Sequence, residues 1–141
     1  MVHNYGPGRQ FASVHVEVPQ DSDFVKCHEQ ADLCERLINE KYNIQLVIHM
    51  DPIDTNSPAV KTAREAMTAE LKKIDENMSL HDFRMTPLSD KRTNLIFDAV
   101  IPPEYENRKE ELRQRISDAA KSIDKTYFCV ITFDIDFTGH N

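Results

Sequence analysis

Ser13-Val14-His15-Val16-Glu17-Val18 and Val47-Ile48-His49-Met50-Asp51-Pro52 both alternate apolar and polar residues. A period of two restricts each to a half-buried β-strand. Successive strand side chains point to opposite faces, so Val14, Val16 and Val18 share one face and leave His15 and Glu17 on the other. Leu46, Ile48 and Met50 likewise face a core and leave His49 and Asp51 on the polar side. Two imidazoles and a carboxylate therefore project from the same side of what should be one sheet. That is a donor set for zinc or a similar divalent ion.

A chain of 141 residues has the length of one ordinary domain, with enough apolar content for a core. Its formal net charge of -7 argues against a nucleic-acid partner, because phosphate binding needs a basic patch. No run approaches the roughly 18 apolar residues of a membrane span, and no signal peptide is visible. Cys27, Cys34 and Cys129 form no Cys-x-x-Cys pair and leave an odd thiol, which fits free thiols in a reducing cytosol. Cys27 and Cys34, on one predicted helix face beside Ala31 and Ile38, read as small core residues.

The order along the chain reads strand, helix, strand, helix, strand, strand, helix, strand. Gly6-Pro7-Gly8 marks a turn that predicts an opening hairpin. A strand over Phe11 to Val18 is expected to stop at Pro19. A helix capped by Asp21, Ser22 and Asp23 then runs to about Tyr42, with Cys27, Ala31, Cys34 and Ile38 as its apolar stripe. The strand from Ile44 to Met50 is expected to end at Asp51-Pro52. Ser57-Pro58 starts a second helix whose core side is Val60, Ala63, Met67, Leu71 and Ile74. Strands over Leu80 to Leu88 and Thr93 to Ile101 flank a turn at Ser89-Asp90-Lys91. A charged helix from about Glu106 to Ile123 buries Leu112, Ile116, Ala119 and Ile123, and Tyr127 to Phe137 forms the last strand.

This order repeats. An offset of 83 lays Pro19 on Pro102, His15 on Asp98, His49 on Thr132 and Asp51 on Asp134, and Val47-Ile48 on Val130-Ile131. The helices superpose better at about 85. Each unit is a strand–helix–strand element, expected to cross over right-handed. The division is 1–52 as a first unit, 53–78 as a linker helix and 79–141 as a second, degenerate unit, packed together as one globular domain. The counterpart of His81-Asp82-Phe83-Arg84 would fall at or before residue 1, so the first unit is expected to begin partway into a strand.

Tyr5-Gly6-Pro7-Gly8-Arg9, Ala12 to Val18, the helix bearing His28 and Asp32, and Val47 to Pro52 resemble the C-terminal cytoplasmic domain of cation diffusion facilitator transporters. Leu80 to Arg84 and Asn94 to Asp98 look like a second copy, as in longer bacterial members. The resemblance implies an α/β (α+β) fold of ferredoxin-like βαβ units, here a tandem pseudo-repeat with an intervening helix. It implies a domain that follows membrane-spanning helices on the cytoplasmic side, forms a homodimer and binds a divalent metal, usually zinc. Metal loading would favour the transport-competent dimer. His15, His28, His49 and Asp51 fall on family ligand positions. The partners implied are a second copy and the membrane domain of the same transporter, without insertion of this segment into the bilayer.

His28 stands apart from the other three. A helix connecting two strands packs on the apolar side of the sheet, so His28 is expected to complete the site in a partner subunit. Read alone, it is a surface histidine paired with Asp32 one turn on. His3 beside the turn and His140 near the C-terminus read as solvated, His140 being expected to be disordered. Glu17 reads as an outer-sphere neighbour of His15. Asp98 and Asp134 retain a weak capacity for a hard cation, but the second copy reads as structural. Manganese, cobalt, cadmium and iron fit a similar donor set. A metallohydrolase is disfavoured, since no His-Glu-x-x-His, nucleophile elbow or glycine-rich phosphate loop occurs. A stand-alone ferredoxin-like module for a small effector or a metal is the other alternative. The prediction is therefore a non-enzymatic, metal-sensing dimerisation domain, whose metal binding weakens below about pH 6 because ligating imidazoles must lose their protons.

Overall fold

Two three-stranded sheets organise the computed structural model, which describes residues 1–4, 6, 8 and 10–138, with the side chains of residues 3 and 4 excepted. The chain divides into two compact units, Met1–Ile53 and Asp54–Asn141. The first contains β1 (Val2–Asn4), β2 (Gln10–Pro19), α1 (Phe24–Tyr42) and β3 (Ile44–Ile53). The second contains α2 (Pro58–Ile74), β4 (Ser79–Ser89), β5 (Arg92–Ile101), a 3-10 turn over Pro103–Arg108, α3 (Lys109–Ile123) and β6 (Tyr127–Ile135). Both are mixed units of the ferredoxin-like α+β kind, in which an antiparallel pair is followed by a helix and a parallel strand.

The duplication seen in the sequence is carried in the hydrogen-bonded register. Every pair from Gln10↔Ile44 to Val18↔Pro52 has its counterpart, at the offset of 83, from Thr93↔Tyr127 to Ile101↔Ile135. Val2↔Ala12 and Asn4↔Gln10 correspond in the same way to Met85↔Leu95 and Pro87↔Thr93. Register sets which face each side chain occupies, so matching registers give the two sheets the same inside and outside.

Local chemistry explains the element ends. Asp23 caps α1 by accepting from the Val25 and Lys26 amides, and Asn43 closes it in the left-handed region that asparagine tolerates. The Asn43 side chain donates to the Gly8 carbonyl at 3.2 Å. Gly6 and Gly8, at φ 102° and 91°, supply the expected turn; Tyr5, Pro7 and Arg9 lie outside the described residues. Ser57 caps α2, with Pro58 in its first turn. β2 and β3 run one to three residues past their expected ends and include Pro19 and Pro52. β3 is an edge strand, where a missing N–H is tolerated. β4 bulges between His81 and Arg84, with Asp82 at φ 52°.

The two units differ in how much they bury. α2 packs on β4, α3 packs on β6, and both helices share one cluster with Met85, Leu95, Phe97 and Ala99. Val60, Ala63, Met67 and Leu71 of α2 belong to that cluster, so the helix assigned to a linker is part of the second unit's core. In α3 the buried residues are Leu112, Ile116 and Ala120; Ala119 is half-buried and Ile123 is exposed. The stripe is one step rotated from expectation, because Ala120 continues the i, i+4 row of Leu112 and Ile116. α1 packs on β3 and has no buried residue at all. Its half-buried row is Cys27, Ala31, Glu35 and Ile38, and Cys34 is exposed instead of packed.

All three cysteines are free thiols. Burial pushes the Cys129 thiol up to about 11, whereas Cys34 faces solvent. At pH 8 only about 10⁻³ of Cys129 is then thiolate, and thiolate is the reactive form. An aromatic disulfide reagent should label Cys34 at least about a hundredfold faster than Cys129; equal rates in the native protein would contradict this packing. The folded state holds the Cys129 proton more tightly than the unfolded chain, so this contribution is present below the ordinary thiol range and is lost as pH rises towards 11.

Candidate metal centre

β2 and β3 pair in parallel with His15 directly opposite His49 and Glu17 directly opposite Asp51. Residues two apart on a strand share a face, so His15, Glu17, His49 and Asp51 occupy one patch of the sheet. The same register puts Val14 beside Ile48 and Val16 beside Met50 on the reverse side. In the second unit the matching reverse side, with Phe97, Ala99, Ile131 and Phe133, is the one the helices cover. The patch is thus the helix-free face.

Within it, His15 Nδ1 lies 3.0 and 3.3 Å from the two carboxylate oxygens of Asp51. The rings of His15 and His49 stack with centroids 5.0 Å apart and planes inclined by 24°. The side chains of His15 and Asp51 are 68% and 44% exposed, and pairs so exposed add little to stability. Stacked rings do not aim their nitrogens at one point. Among the described residues, no group of three or more His, Cys, Asp or Glu side chains stands ready to hold a metal ion. The donor chemistry fits a dication, and ring rotation would have to bring the nitrogens together.

His28 is not among these neighbours. Its Nδ1 lies 3.4 Å from Asp32, and its ring centroid is 6.3 Å from that of Phe24 on the same helix. At the helix offset of 85, His28 corresponds to Arg113, whose guanidinium donates to the Ile131 carbonyl at 2.8 Å. Ile131 belongs to the edge strand β6, so this helix position overlooks a sheet edge and not the polar face. Glu35 was not predicted to matter. Its carboxylate accepts from the Ile48 amide at 2.7 Å and so fastens α1 to β3 next to His49. No periodicity reveals it, because an acid in an apolar stripe reads as an interruption.

In the second unit the equivalent face carries Asp98, Thr132 and Asp134, without a histidine at those positions. His81 pairs with Asp98 across the antiparallel ladder, and its Nε2 lies 3.4 Å from Ser79 Oγ. His140 and the side chain of His3 lie outside the described residues. An open cleft of about 440 Å³ is lined, among the described residues, by Gly8, Gln10, Phe11, Asn39, Asn43 and Gln45, none of them titratable. Among the described residues no helix is long and apolar enough to cross a membrane.

Residues 2–53 match the family described as cation efflux protein, cytoplasmic domain. The match falls on the first unit and covers less than half of the chain. The match ends at Ile53, the last residue of the first compact unit. The second unit lies outside the match and shares the hydrogen-bonded register of the first. The family is that of a transporter's cytoplasmic part and is not an enzyme family. No curated protein matches the chain.

Proposed function

We propose that this chain is the metal-sensing, pairing portion of a divalent-cation efflux transporter on the cytoplasmic side of the membrane. His15, His49 and Asp51 would grip the dication, zinc fitting two imidazoles and a carboxylate best. The observation that carries this reading is the register that sets His15 against His49 and leaves Asp51 within hydrogen-bonding reach of His15. Three protein donors leave a tetrahedral ion one position short. His28, on another layer of its own unit, would fill it from a second subunit, so that metal and pairing reinforce one another. Metal bound more tightly by the paired form shifts the equilibrium towards it by the difference in affinity of the two forms. Catalysis has no part in this scheme.

Sedimentation equilibrium with and without zinc tests it. A mass rising from 16.3 kDa towards the dimer as zinc is added is the expected result. The His28→Ala variant should bind zinc but pair poorly. A chain that remains monomeric while saturated with zinc would overturn the proposal.

A further inference from the structure

Lys91, Arg92, Lys121 and Lys125 gather at one end of the second unit's sheet. The Arg92 guanidinium lies 4.3 Å and the Lys121 ammonium 4.5 Å from the ring centroid of Phe128. The Thr93 amide donates to the Thr126 carbonyl at 2.8 Å, so Lys125 lies at the same sheet end as Lys91 and Arg92. All four cations are exposed, and none is in an ion pair with a described residue. The acids beside them in sequence are Asp90 and Asp124, and the Asp124 carboxylate accepts from the Thr126 amide and hydroxyl at 2.9 and 2.7 Å. This end of an acidic chain is therefore locally positive. The shared fold does not require the cluster. At the offset of 83 the first unit has Gly8, Tyr42 and Gln45 in place of Lys91, Lys125 and Phe128, with Arg9 in place of Arg92.

We propose that this cluster rests the second unit on the anionic phosphate headgroups of a phospholipid bilayer. A guanidinium or ammonium held against a ring keeps N–H donors for an anion, and the cation–π contact limits the side-chain freedom lost when one arrives. Cations spread over a turn, a strand and a helix end suit several neighbouring headgroups better than one soluble phosphate, which needs donors converging on a point. Leu88, on the same hairpin as Lys91, is 56% exposed and adds an apolar contact at the interface. The net charge of -7 does not prevent this, because at physiological salt charges more than about 8 Å away are screened and only the residues facing the bilayer count. The inference rests on the reading of the chain as part of a membrane transporter, which supplies the bilayer. It uses none of the metal residues, which belong to the first unit.

Co-sedimentation of the whole chain with vesicles tests it. Binding is expected to vesicles of phosphatidylglycerol and phosphatidylcholine in equal parts, and not to phosphatidylcholine alone. Raising the salt from about 0.1 M to about 0.5 M should release the chain. Each cation contributes about a fivefold factor, so Arg92→Gln combined with Lys121→Gln should weaken binding about 25-fold. Lys72→Gln combined with Lys73→Gln removes the same charge near the start of β4, the strand end opposite the hairpin, and should change binding less than about twofold. His49→Ala should bind vesicles like the wild type, so a failure of the metal reading leaves this result unmoved. The proposal is overturned by equal binding to both kinds of vesicle, by binding to neither, or by equal losses in the two double variants. It is also overturned if inorganic pyrophosphate binds the wild type and not the Arg92→Gln, Lys121→Gln variant while vesicles bind neither, since the anion would then be a soluble phosphate.

Discussion

Replacing His49 by alanine is expected to raise the zinc dissociation constant about a hundredfold or more, close to 2.7 kcal/mol. In the proposed centre His49 is one of three ligands, and its ring is the direct strand neighbour of His15. Removing it leaves one imidazole and one carboxylate, too few to displace the hydration of a dication firmly. Asp51→Ala should be comparably damaging by a different route. It removes the one carboxylate of the proposed set, which lies 3.0 Å from His15 Nδ1. His81→Ala in the second unit is the control, since Asp98 and Thr132 stand where the first unit has its histidines. Competition against a chromophoric chelator measures all three. If His49→Ala binds like the wild type while His81→Ala does not, the centre lies in the wrong unit.

Phe97→Ala should destabilise the second unit by about 3–5 kcal/mol. That is a large part of the roughly 5–15 kcal/mol that holds a domain folded. Phe97 is fully buried, stacks on Phe83 at 5.7 Å and lies in the cluster that joins both helices to the sheet. The equivalent change in the first unit, Val14→Ala, should cost about 1 kcal/mol or less, because Val14 is 40% exposed. Urea unfolding with a reporter in each unit would give both numbers. Equal costs would mean that the first unit has a core as dry as the second.

Much of the candidate site was legible because a β-strand has a simple rule. Alternation at 13–18 and 47–52 is enough to put His15, His49 and Asp51 on one face, and the family resemblance added His28. The offset of 83 also survived intact, because hydrogen-bonded register preserves integer spacing in strands. Helices tolerated less. Cys34 looked like core at i+7 from Cys27, and Ala119 looked better than Ala120, since a 3.6-residue period lets neighbouring rows compete for the same face. Pro52 looked like a terminator, but an edge strand has an unpaired side on which a proline costs nothing. Glu35 was hidden because its role depends on the Ile48 amide, thirteen residues away in sequence and brought close only by packing.

The chain's one-dimensional pattern determined which residues share a face, where the helices start, and that the same unit occurs twice. Those properties follow from local geometry and from the spacing of side chains along a strand. Tertiary packing alone decided that α2 joins the second unit's core and that Val14 is wet where Phe97 is dry. It also decided that the stacked imidazoles of His15 and His49 stop short of a finished ligand set. Burial and convergence depend on what lies across the sheet, and a linear spacing rule holds no information about a neighbour distant in sequence.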